Sequence, residues 1–154
     1  MRTLTWIAVL ASAVACSAGD EPSAPRFAQL GTDVVRDARS GLEWAARDDG
    51  RELSWRDADR YCRELALDSG DGAWRLPSIE ELAALYEESQ NQPCDDGTCR
   101  VDPAIDLTSP YQWSGTARGE NRRVYFDFLH GTELAPLLRP GLTRRALCTR
   151  TEPP

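Results

Sequence analysis

The chain has 154 residues, enough for one domain with a real core and too few for two. Hydrophobic residues at 41% and charged residues at 28% give a globular balance, not that of a disordered chain. All 18 basic residues are arginine and face 25 acids, and the net charge of −7 argues against nucleic acid as a partner.

Met1-Arg2 supplies one positive charge, and Leu4 to Val14 is apolar except for Thr5 and Ser12. The run is too short for a membrane span and has the shape of a secretory signal over residues 1–15. It ends Ala13-Val14-Ala15-Cys16. Small residues before the cut suit the narrow pocket of an export peptidase. A cysteine directly after them resembles the lipobox of bacterial lipoproteins, although Ala13 stands where leucine is commoner. That resemblance implies a diacylglyceryl group on Cys16, which becomes the new N-terminus. The same residues also fit an ordinary A-x-A signal with Cys16 left spare.

Cysteine arithmetic bears on the choice. Of five cysteines, setting Cys16 aside leaves Cys62, Cys94, Cys99 and Cys148, an even set suited to two disulfides in an oxidising compartment. We therefore expect a cell-envelope protein outside the cytoplasm, touching a membrane through lipid on Cys16. Ser17 in place of Asp favours the outer membrane if the cell is Gram-negative.

Residues 17–25 are small, polar and proline-bearing, and read as a flexible tether. We place the lipidated tether over 16–30, the domain over 31–151 with its start somewhere between Phe27 and Thr32, and a frayed tail over 152–154. Asp33–Arg36 and Leu42–Ala45 are short β-prone runs around a turn ending in Gly41, which predicts a hairpin with Trp44 in the core.

Ser54 caps a first predicted helix with Asp57 at the capping-box position, and Trp55, Ala58, Cys62 and Leu65 form its apolar stripe. Cys62 therefore faces inward. Asp68 to Gly72 breaks the helix. Ser78 caps a second helix with Glu81 at the box position, Glu80 and Glu81 at the positive dipole end, and Ile79, Leu82, Leu85 and Tyr86 on the apolar face. Gln90 to Pro110 reads as a long irregular region holding the acidic loop between Cys94 and Cys99. Tyr111–Ser114, Val124–Phe128 and Ala146–Thr149 read as strands. The order is α+β, not a repeating βαβ one.

The motifs in order are Ser40-Gly41-Leu42-x-Trp44, Tyr61-Cys62-x-x-Leu65, Trp74-Arg75-Leu76-Pro77-Ser78 with Glu81-Leu82 and Leu85, Trp113-Ser114, Phe128 to Gly131, and Leu147-Cys148-x-Arg150. Together they resemble the bacterial Lcl C-terminal domain family, a domain of unknown function, over residues 32–150. The Trp-Arg-Leu-Pro block with its helix is the specific part. The resemblance implies a variant of the C-type-lectin-like fold: a single disulfide-stapled domain with two helices on a small twisted antiparallel sheet and long irregular loops. It implies that Cys62 pairs with Cys148, a bridge worth about 3–5 kcal/mol on the chain-entropy model. Cys94 and Cys99 then pair locally.

Two departures matter. The Glu-Pro-Asn or Gln-Pro-Asp and Trp-Asn-Asp signatures of calcium-dependent sugar binding are absent, and Gln92-Pro93-Cys94 lacks the carboxylate. Gly115 stands where the family often has a second serine.

No catalytic constellation is legible, and we expect no enzyme, cofactor or metal. His130 is the only histidine and reads as a turn residue before Gly131. Asp95, Asp96, Asp102 and Asp106 lack EF-hand spacing and read as solvated. Trp44, Trp55 and Trp74 are assigned to the core.

From residue 118 onward seven arginines face four acids, whereas ten face twenty-one over 16–117. Either the basic third makes a patch or the segments interleave on folding. Arg118, Arg122 and Arg123 around a Gly-Glu-Asn turn, with Trp113 nearby, are the candidate ligand-binding residues, because guanidinium groups grip sulfate or carboxylate bidentately. The expectation is a binding or adhesion module for a glycan or anionic polymer. The alternatives are an assembly lipoprotein docking to an envelope protein complex and, last, an enzyme akin to the larger formylglycine-generating branch of lectin-like folds.

Overall fold

A computed structural model describes residues 24–67 and 73–151. The signal, Cys16, residues 17–23 of the tether and the tail 152–154 lie outside the described residues.

Strands β1 (Phe27–Gln29), β2 (Val34–Asp37) and β3 (Leu42–Ala45) form an antiparallel meander, with Val35 opposite Trp44 and Phe27 opposite Asp37. Gly41 at φ +73° makes the predicted β2–β3 hairpin turn, where a side chain would be strained. The ordered sheet begins at Phe27, the early end of the expected start. β1 belongs to the sheet, Phe27 is in the core, and Arg26 forms ion pairs with Asp37 and Glu87 at 2.9 and 2.8 Å. A three-residue edge strand with one buried side chain carries too little period to read from sequence.

Helix α1 (Trp55–Glu64) starts at the Ser54 cap, whose hydroxyl accepts from the Asp57 amide. Helix α2 (Ile79–Leu85) has the full capping box: Ser78 Oγ accepts from the Glu81 amide, and Glu81 Oε2 accepts from the Ser78 amide. Its Ile79, Leu82 and Leu85 are buried, as the period predicts. Arg75 forks onto both oxygens of Glu81 at 2.7 Å, so the Trp-Arg-Leu-Pro-Ser block positions this helix.

The region from 90 to 110 is more ordered than expected. It holds a hairpin of β4 (Gln92–Cys94) and β5 (Gly97–Cys99), closed by the Cys94–Cys99 disulfide and a turn in which Asp96 sits at φ 64°. Strands β6 (Tyr111–Ala117), β7 (Arg123–Asp127) and β8 (Thr132–Leu134) form the third sheet, in order β6-β7-β8. Strand β9 (Thr149–Thr151) returns to pair with β3. Next to it Cys148 bonds Cys62 of α1 across 86 residues of chain, the pairing the resemblance implied.

Buried side chains from both faces of the strands enter two clusters. Val35, Trp44, Val124 and Phe126 pack with Ile79, Leu82 and Leu85 of α2, whereas Val34, Ala45 and Tyr125 pack with Ala58 and Cys62 of α1. Strands covered on both sides read as continuous apolar runs, which Val34-Val35 and Val124-Tyr125-Phe126 do. The result is an α+β domain of two helices and three small antiparallel sheets, stapled twice.

Candidate functional site

Of the predicted ligand residues, Arg118, Arg122 and Arg123 stay together on the β6–β7 hairpin while Trp113 enters the core. Trp113 is fully buried, its Nε1 donates to the Leu53 carbonyl at 2.8 Å, and its ring packs edge-on to Tyr125. It offers no face to a ligand, and that assignment is corrected: β6 is covered on both faces, so Gln112, Trp113 and Ser114 are all buried. Arg118 is exposed and pairs with Glu133 at 3.2 Å. Arg122 donates to the Ala135 carbonyl. Arg123 donates to the Gly119, Glu120 and Arg122 carbonyls, and so closes the hairpin tip that carries it.

Arg123 also lies over the Trp55 ring at 4.4 Å. Trp55 opens α1 and is only partly buried, with its Nε1 donating across to the Ser114 carbonyl at 2.8 Å. The ring forms a ridge between two clefts. One, of about 380 Å³, is walled by Ser54, Trp55 and Arg56 from the start of α1, by Asn121 from the hairpin tip, and by Leu138, Arg139, Pro140 and Leu142 from the loop before β9. The other, of about 400 Å³, lies between α1 and the Leu76–Ser78 and Gly115–Thr116 segments.

The two clefts differ in charge. In the second, Arg63 pairs with Asp59 and Arg75 with Glu81. Hydrogen bonding by Arg75 is the largest influence on the Glu81 carboxyl and holds it below its ordinary pKa. In the first, no lining residue is acidic. Arg56 and Arg139 are exposed and, among the described residues, make no ion pair or side-chain hydrogen bond. Sequence reasoning missed both. Arg56 lay on the wet side of a helix, and Arg139 lay far from the arginine-rich turn. What could have found them is the apolar, proline-bearing run Leu137 to Leu142, too hydrophobic for an ordinary loop.

The acidic residues of the 90–110 region are dispersed. Asp95 pairs with Arg145, Asp106 with Arg47, and Asp102 accepts from the Ala104 amide. Among the described residues no group of three or more carboxylate, histidine or cysteine side chains is placed to hold a metal ion. His130 caps its turn through Asp127, with Nδ1 at 2.7 Å from Oδ2.

The molecule is thus a small, doubly stapled α+β domain with an open, cation-lined cleft beside an aromatic ridge. The chain belongs to the Lcl C-terminal domain family, whose model matches residues 33–136. No curated protein and no solved structure matches it. The loop wall from Leu138 to Leu142 and the Cys148 end of the staple lie beyond the matched residues.

Proposed function

We propose that this is a non-enzymatic binding module of the cell envelope, carried by lipid on Cys16, whose first cleft receives an acidic glycan or another anionic polymer. The observation that carries the reading is the pair of unengaged guanidinium groups, Arg56 and Arg139, on a cleft without acids in a chain of net charge −7. A free guanidinium binds sulfate or carboxylate bidentately. The apolar Leu138, Pro140 and Leu142 and the Trp55 ring supply surface for the uncharged part of such a ligand. Arg118, Arg122 and Arg123 act as supports of the hairpin tip, with Arg123 holding the ring.

Docking to an envelope protein is the second reading. Leu134 and Leu137, 40% and 57% exposed, favour it, because they flank the same loop and are the exposed large apolar side chains of the described residues.

A glycan and polyanion array with soluble 20–154, run with calcium and with chelator, tests the proposal. Calcium-independent binding that weakens with salt and is lost in Arg56→Ala/Arg139→Ala is the expected result. Binding unchanged in that double variant contradicts the cleft assignment. No binding under any condition, with stoichiometric capture of one envelope protein, supports the second reading.

A further inference from the structure

Asp48 and Asp49 are adjacent, buried and unequally served. Asp48 accepts four hydrogen bonds, from the Gly50 and Thr108 amides, the Thr108 hydroxyl and the Gln112 amide group. Asp49 has a side chain with 0% exposure and is served mainly by the Ala146 amide, which donates to Oδ1 at 2.6 Å, with the Arg51 amide a weaker donor. The Asp49 amide returns a bond to the Ala146 carbonyl at 3.1 Å, so the two residues clasp each other. Oδ2 of Asp49 is buried without a hydrogen bond, and Arg51 Nε approaches only to 3.7 Å.

This clasp belongs to a seam that continues into the candidate cleft. Leu53 and Arg144 exchange both backbone bonds at 3.0 Å. One side of the seam runs on into Ser54, Trp55 and Arg56. The other side is preceded by Leu142. Both cleft walls therefore leave from the same seam.

We propose that the Asp49–Ala146 clasp is a pH-operated latch on the cleft: protonated, Asp49 holds the seam shut; ionised, it loosens the seam and lets the Ser54–Arg56 wall move from the Leu138–Leu142 wall. The physical reason is the orphan oxygen. A neutral carboxyl leaves one hydroxyl unserved, whereas a carboxylate leaves a buried charge with one oxygen unserved beside Asp48. Burial is the main cause that lifts the Asp49 carboxyl to about 6, the Ala146 amide opposes it, and Asp48 adds to it. Arg51 counters weakly from the surface, Tyr61 of α1 lies beneath Arg51 at 5.4 Å, and Arg145 is committed to Glu52 and Asp95.

The test is amide hydrogen exchange on the full chain between pH 5 and pH 7.5, corrected for intrinsic exchange. It needs no ligand, so it stands or falls apart from the binding proposal. Protection of the Ala146, Leu53 and Arg144 amides should fall about tenfold across the window, whereas α2 stays protected. Asp49→Asn keeps the acceptor and removes the charge, and should hold protection level across the window. Arg51→Ala changes a 62% exposed side chain and should move the midpoint to higher pH. Flat protection in the wild type, or an unchanged slope in Asp49→Asn, overturns the latch.

Discussion

Glu43 and Arg150 meet at 2.8 Å with side chains 3% and 1% exposed, and the guanidinium also lies over the Trp74 ring at 4.6 Å. Glu43 also accepts from Arg36 at 2.8 Å, so neutralising it weakens two charge-assisted bonds at a buried site. Glu43→Gln should therefore lower stability by about 3 kcal/mol in urea denaturation. Arg47→Ala, which breaks an exposed pair with Asp106, should cost about 0–1 kcal/mol. The sequence showed Arg150 only as a motif position. Its partner comes from the β3–β9 register, Glu43 opposite Arg150, which closes a separation of more than a hundred residues. Trp113 and Trp55 both sit within motifs, and only the closed fold buries the first completely and leaves the second packed against the core with one side open as a ridge.

The helices were legible because their caps are local. Ser54 and Ser78 stand at the predicted N-caps, yet the two caps differ. Glu81 is long enough to reach back to the Ser78 amide. Asp57 is one methylene shorter and places its carboxylate on the Ser54 hydroxyl and on Arg60 instead. Ser78→Ala should cost about 1–2 kcal/mol and Ser54→Ala less, by thermal or urea unfolding. The staples also rank. On the chain-entropy model the bridge across 86 residues is worth about 4–5 kcal/mol and the one across five about 2. Replacing Cys62 and Cys148 by serine should destabilise the whole domain, whereas replacing Cys94 and Cys99 should release chiefly the β4–β5 hairpin. That hairpin escaped the sequence reading because Pro93 and two aspartates mask its three-residue strands.

For the molecule as a whole, order of elements, helix count and cysteine pairing followed from pattern and resemblance. The cleft did not, because its walls come from residues 54–56, 121 and 138–142, which only the closed fold brings together.

Burial alone would raise Asp37 and Glu43, but hydrogen bonds from Arg26, the Arg39 amide and Ser40, and from Arg36 and Arg150, outweigh it and leave both lowered. Their contribution is present above the ordinary carboxylate range and is lost as pH falls below it. Asp49 is raised to about 6, so the native state holds its proton longer than the unfolded chain, and stability falls as pH rises from about 4 to 6. The urea midpoint should peak near pH 4, decline toward about 6 and level off above it, and Asp49→Asn should flatten that decline.

The cleft is the claim on which the functional account rests, and amide shift mapping on titration with dextran sulfate, a simple sulfated polymer, reaches it most directly. The account predicts saturable shifts at Trp55, Arg56, Asn121 and Arg139, with Trp113 and the β4–β5 hairpin unmoved. Shifts concentrated elsewhere, or none at low salt, would contradict it.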